Sequence, residues 1–174
     1  ERTMIASILP PEILCVHSLA TFRPFKIDPS EDDLTETPLH SAYERRFTDQ
    51  ELFVAVGLIN SLPFDYLMRT KTDKHLVEYK LFESQGPRRT EGDQWFEYIW
   101  ERAARLNCYG EAFEEIRKRL DGVEPVTEHT ARKEIRAEID AAAFHAYDIE
   151  EKNVIFVLED FSQVGDPRMM DDTY

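Results

Sequence analysis

The sequence predicts an α+β fold: a small mixed or antiparallel sheet with helices packed on it and a helical carboxy-terminal part. Three observations predict it. Short apolar runs at 4–9 and 14–22 are parted by Pro10-Pro11, through which neither a ladder nor a helix continues. Residues 75–82 alternate, with Leu76, Glu78, Lys80 and Phe82 on one side and Val77, Tyr79 and Leu81 on the other, as a strand requires. Beyond Gly86-Pro87 the apolar residues recur at helical spacing instead. The expected organisation is an α/β part over 1–90, a helical part over 91–164 packed on it within one compact domain, and a flexible tail over 165–174.

Taken in order, the runs 4–9 and 14–22 read as two strands joined by a turn, and 27–44, acidic and carrying Pro29 and Pro38, as a surface loop. Thr48-Asp-Gln-Glu51 is a capping box, in which hydroxyl and carboxylate satisfy the free amides of a helix start. Leu52, Val56 and Ile59 follow at helical spacing as far as Pro63. A second helix then carries Phe64, Tyr66, Leu67 and Met68, ending near Arg69 ahead of the 75–82 strand. Three stripes mark the helical part: Phe96, Ile99, Trp100 and Ala103 in 91–106; Phe113, Ile116 and Leu120 in 111–120; and Ala131, Ile135, Ile139, Ala142, Ala143 and Ala146 in 127–147. The alanines of the last imply close helix packing. Asp148-Ile-Glu-Glu151 reads as a cap opening a short helix through Val154, Val157 and Leu158 to Phe161.

The formal charge of −14, from 35 acidic against 21 basic residues, opposes nucleic-acid binding, because phosphates call for a positive surface. The acids, however, are spread along the chain among enough apolar residues for a core. That pattern fits a halophilic surface, since in molar salt the Debye length falls to about 3 Å and self-repulsion is screened. An ordinary acidic protein is the alternative. Cys15 and Cys108 lie far apart without a CxxC partner, so free thiols are expected rather than a disulfide framework or zinc knuckle. No apolar run approaches the roughly 18 residues of a membrane span, and no signal pattern opens the chain, so a cytoplasmic location is expected.

Chemistry is sparse. A chain that methylates adenine needs a glycine-rich cofactor turn and an Asn-Pro-Pro-aromatic loop, and neither occurs; Leu9-Pro10-Pro11-Glu12 lacks both amide and ring. Asp65 with Glu78-Tyr-Lys80 offers the residue types of a metal-dependent nuclease, although an exposed Glu and Lys on a strand face account for it as well. His17, His40, His75, His129 and His145 lack the close pairing of a zinc site, so no metal centre is expected.

One charge feature stands out. Between Arg69 and Arg89 lie six basic residues (Arg69, Lys71, Lys74, Lys80, Arg88, Arg89) against three acidic ones, leaving 15 basic and 32 acidic residues elsewhere. Such cations suit phosphates, while Asn60, Ser61, Thr70, Thr72 and His75 offer hydrogen bonds to base edges. A solvated loop with ordinary charge scatter is the plainer reading.

Several segments together resemble the carboxy-terminal region of large adenine-N6 DNA methyltransferases of the type IIG restriction-modification kind. The likeness rests on Glu1-Arg-Thr3 leading into Ile5 to Pro10, on Ile59-Asn60-Ser61, on Phe64-Asp65-Tyr66 with Arg69, and on Lys74-His75-Leu76 with Tyr79. Arg136-Ala-Glu-Ile-Asp-Ala141, His145-Ala-Tyr147 and Leu158-Glu-Asp-Phe161 continue it. Two departures stand out: Phe82-Glu-Ser-Gln-Gly-Pro87 replaces the family's Leu-Pro-x-Pro turn, and Asp148 stands where a Gly usually follows His-x-Tyr. The resemblance implies a target-recognition part without catalytic residues of its own. It would dock double-stranded DNA beside the methyltransferase catalytic domain of the same parent chain, where S-adenosylmethionine binds. Base reading would fall to 70–75 and the strand after it, with Asp65 paired to Arg69 in the framework. Two other classes remain open: a module that docks onto a methyltransferase or partner subunit through the amphipathic helix 127–147, and a stand-alone nuclease in which Asp65, Glu78 and Lys80 converge.

Overall fold

The computed structural model describes residues 4–10, 13–16, 21–27, 35, 42–71, 86–87 and 91–162. Thr48 starts helix α1 (Asp49–Ile59) with the expected reciprocal cap: its Oγ1 accepts the Glu51 amide at 3.1 Å, and Glu51 Oε2 accepts the Thr48 amide at 2.7 Å. After Asn60 and Ser61 the chain turns through 62° into α2 (Leu62–Lys71). Pro63 falls in the first turn of α2, where a missing amide costs nothing. Helix α3 (Gln94–Asn107) is capped by Asp93, which accepts the Trp95 and Phe96 amides at 2.9 and 3.2 Å. A 3₁₀ turn (Glu111–Phe113) leads into α4 (Glu114–Arg119). The longest helix, α5 (His129–Ala146), is capped by the Glu128 carboxylate, and α6 (Glu151–Ser162) follows.

The apolar stripes do what their spacing predicts. One core joins Phe53 of α1, Ala103 and Ala104 of α3, Phe113, Ile116 and Leu120 around α4, and Ile135 and Ile139 of α5. A second joins Val54 and Leu58 to Phe96, Ile99, Ala142, Ala143 and Ala146. The parts expected over 1–90 and 91–164 therefore share their cores, and α3 lies between α1 and α5. Gly57 lets α1 approach: a Cβ there would stand 2.6 Å from Ile99 Cγ2. Arg102 ties α3 to α5, its Nε 2.6 Å from Glu138 Oε2 and its guanidinium over the Tyr98 ring. Cys108 is a free thiol in the first core, where burial pushes its pKa up to about 11 and keeps it protonated and inert.

The fold is α+β with a small antiparallel sheet, and among the described residues the sheet lies at other positions than the expected strands. Strand β1 (Phe25–Lys26) pairs antiparallel with β2 (Glu44–Arg45), Phe25 opposite Arg45 and Lys26 opposite Glu44, and all four residues are exposed. The strands expected at 4–9 and 14–22 form no ladder among their described residues. The strand expected at 75–82 and the tail 165–174 lie outside the described residues. A second correction concerns Asp148, which does not cap α6. It sits at φ 52° just past α5, where the Asp148 amide donates to the His145 carbonyl and the Ile149 amide to the Phe144 carbonyl at 3.0 and 3.1 Å. These paired bonds form a Schellman motif, with Ile149 packed beside Phe144. No single helix among the described residues is long and apolar enough to cross a membrane.

Candidate nucleic-acid interface

The elbow between α1 and α2 carries the first of the expected contact residues. Asn60 uses both ends of its amide on one residue of the amino-terminal segment: Oδ1 accepts the Ala6 amide at 3.0 Å and Nδ2 donates to the Ala6 carbonyl at 2.7 Å. The side chain thus replaces a strand partner. Ser61 is fully buried, and its hydroxyl donates to the Leu58 carbonyl at 2.6 Å. It has no surface to offer a base edge, so its place is in the framework.

Two buried carboxylates hold the elbow. Asp140 reaches from α5 to accept the Leu62 amide at 2.7 Å, which satisfies one of the four free donors at the start of α2. Asp65, wholly buried, accepts the Met4 amide at 3.0 Å through Oδ1, and its Oδ2 lies 3.5 Å from Arg69 Nε. Arg69 also lies over Phe161 of α6, its guanidinium 4.2 Å from the ring centroid. Mostly buried between a carboxylate and a ring, Arg69 belongs to the framework rather than to a phosphate. Around these polar contacts Met4, Phe64 and Met68 form a small core with Tyr147 against it, and burial pushes the Tyr147 hydroxyl up to about 12.

Past Arg69, the Thr70 hydroxyl donates to the Leu67 carbonyl at 2.7 Å on the exposed side, and Lys71, half-buried, ends α2. Arg69 and Lys71 there complement the negative end of the helix dipole. Thr72, Lys74, His75, Lys80, Arg88 and Arg89 lie outside the described residues, as does Glu78. Of the nuclease constellation, Asp65 is buried and committed to a backbone amide and an arginine, which leaves it no open face toward a metal ion. Among the described residues, no group of three or more His, Cys, Asp or Glu side chains is placed to hold a metal.

Sequence reasoning anticipated the Asp65–Arg69 pair from its spacing of one helical turn. It gave Asp140 no role, although that acid stands between Ile139 and the Ala142-Ala143 pair of a buried stripe and within the Arg136-Ala-Glu-Ile-Asp-Ala141 string. No family model, curated protein or solved structure matches this chain.

Proposed function

We propose that this chain is a target-recognition part of an adenine-specific DNA methyltransferase of the restriction-modification type, non-catalytic by itself and contacting double-stranded DNA. S-adenosylmethionine and the catalytic residues would belong to the methyltransferase domain of the same parent chain. A halophilic, cytoplasmic setting goes with this reading.

The observation that carries it is the convergence of the described segments on which the resemblance rests; Glu1-Arg-Thr3 and Lys74-His75-Leu76 with Tyr79 lie outside the described residues. The described ones are scattered along the sequence, yet they bind one another at or beside the elbow. Met4, next to Glu1-Arg-Thr3, meets Asp65; Ala6 of the following segment meets Asn60. Asp140 of the Glu-Ile-Asp-Ala string meets Leu62, Tyr147 packs with Phe64, and Phe161 lies under Arg69. Asp148, standing where a Gly is usual, adopts φ 52°, a conformation that only Gly takes without strain. A set of residues retained for one shared framework explains all of these together.

The test is duplex binding by the parent-length protein and by this chain at matched salt, followed by fluorescence anisotropy. Arg69 is left intact in this test, because reversing its charge would attack the fold. Lys71→Glu with Lys74→Glu is expected to weaken binding at least tenfold and to flatten the salt dependence by about two charges. An unchanged affinity would overturn the reading.

A second reading, a docking module, is favoured by one observation. The α5 stripe expected to serve it is buried, but α6 exposes Ile155, Phe156 and Leu158. That face suits contact with a neighbouring domain, and it is compatible with the first reading.

A further inference from the structure

The short sheet gathers a second cationic surface, separate from 69–89. Arg23 and Lys26 stand on either side of Phe25 at β1, and Arg45 and Arg46 lie between Tyr43 and Phe47 at and just past β2, with the Arg46 amide bonded to the Pro24 carbonyl at 2.7 Å. Arg119 of α4 joins them, because Asp49 bridges it to Arg45 at 2.7 and 2.5 Å. Lys26 is paired with Glu44 at 3.4 Å, whereas Arg23 and Arg46 make no ion pair among the described residues. Five cations thus face three carboxylates, Glu44, Asp49 and, beside Arg119, Glu115, in a chain whose overall charge is −14. The acidic residues between the strands, Asp28, Glu31, Asp32, Asp33 and Glu36, lie outside the described residues, so this balance is that of the described surface.

Four rings stand among these cations, Phe22, Phe25, Tyr43 and Phe47, with 56, 49, 41 and 41% of their surface exposed. Phe25 is in register with Arg45, so ring and guanidinium share one face of the two-stranded ribbon, while the Lys26–Glu44 pair takes the other; beyond the ladder, Arg46 lies 5.4 Å from the Phe47 centroid. Exposed rings set between arginines match the two components of a single nucleic-acid strand, a phosphate every nucleotide and a flat base beside it. A duplex, by contrast, hides its bases from such rings.

We propose that the β1–β2 ribbon, with Arg119, binds single-stranded DNA, Arg23, Arg46 and Arg119 taking phosphates and Phe25 and Phe47 stacking on bases. The inference shares with the proposed function only the class of partner and stands on different residues. The 174-residue chain is titrated against a labelled fifteen-nucleotide oligo-dT, a duplex, heparin and anionic vesicles across a salt series. Arg23→Glu with Arg46→Glu is expected to lower oligo-dT affinity tenfold or more and to reduce the salt slope. Phe25→Ala with Phe47→Ala is expected to lower it about tenfold per ring without changing the slope. Lys152→Glu on α6, fully outside this surface, is expected to change neither, and circular dichroism checks that each variant folds. If oligo-dT does not bind, or if the ring variants bind it as the wild type does, the proposal is overturned. Tighter binding to vesicles than to oligo-dT overturns it in favour of a membrane partner. Loss of duplex binding only in the Lys71 and Lys74 variants separates the fate of the proposed function from this one.

Discussion

Replacing Gly57 by Ala tests the close approach of α1 to α3. The new Cβ would stand 2.6 Å from Ile99 Cγ2, 3.5 Å from Ala103 Cβ and 3.8 Å from Ile139 Cγ2. Carbon atoms pack at about 3.5–4.0 Å, so α1 and α3 must part by about 1 Å or Ile99 must turn. Ile99 is fully buried and β-branched, and its strongly preferred rotamer leaves it little room to turn. Helix propensity favours Ala over Gly by about 1 kcal/mol, which works against the clash. Overpacking a filled core costs about 1–3 kcal/mol, and here it falls between the two most extensively packed helices. With a contact as short as 2.6 Å the cost falls at the upper end of that range, about 2–3 kcal/mol, so the net expectation is a loss of about 1–2 kcal/mol, or roughly 2–8 °C in Tm for a chain of this size. Urea titration at fixed salt, followed by the fluorescence of Trp95 and Trp100 on α3, reads it. Ile99→Leu removes the offending methyl from the β-carbon, so the double variant should recover about 1 kcal/mol of coupling. A Gly57→Ala protein as stable as the wild type, or more stable, would refute the close packing of α1 on α3.

Three further outcomes follow from the same contacts. Asp140→Ala strips the acceptor from the buried Leu62 amide at the start of α2 and should cost about 2–3 kcal/mol, while Asp140→Asn, which keeps an oxygen there, should cost less; chemical denaturation ranks the two. Asp148→Gly relieves a left-handed residue at φ 52° and should raise stability by about 0.5–1 kcal/mol, seen as a higher Tm. For Asp49, burial opposes ionisation, but hydrogen bonds from Arg119 and Arg45 outweigh it and hold its pKa below the ordinary value. Its carboxylate therefore stabilises the fold above about pH 4 and loses that effect as acid protonates it, so Asp49→Asn should flatten the acid limb of a stability profile below about pH 4.

The helices were legible because their signals are local. The Thr48 capping box, the Phe113, Ile116 and Leu120 stripe, and the Ile135, Ile139, Ala142, Ala143 and Ala146 stripe each lie within a few turns of chain. The sheet was not, for two physical reasons. The segment at 4–9 has the apolar character of a strand, but Asn60 and Asp65 side chains satisfy its backbone, a partnership invisible to any pattern of hydrophobicity. The strands among the described residues are two residues long, exposed and mostly charged, so they leave no alternation to read. Asp148 misled because an acid before a helix looks like a cap, whereas the preceding helix claims it first through a Schellman motif. Asp140 was hidden among 35 acidic residues, nearly all of which belong on the surface by their chemistry.

The candidate site reflects the same division between buried and exposed charge. Surface pairs such as Lys26–Glu44 and Lys118–Glu114 sit in water and fade as salt rises, whereas the buried Asp65–Arg69 pair and the Asp140–Leu62 bond are screened far less. The elbow therefore keeps its geometry at salt concentrations that remove most of the attraction of Lys71 for phosphate. On the proposed reading, a recognition part working in concentrated salt gains little from counterion release and must discriminate through hydrogen bonds and ring contacts held in fixed positions. Fixed positions require a stiff support before the contacting residues, and α2, which carries the chain to Lys71, is held at its starting turn by Asp140 and further along by Asp65 and Arg69. Weakening that turn through Asp140 should accordingly reduce the ratio of specific to non-specific duplex binding more than it reduces binding overall. A variant that lost both in equal proportion would mean that the elbow supports the fold and nothing that reads sequence.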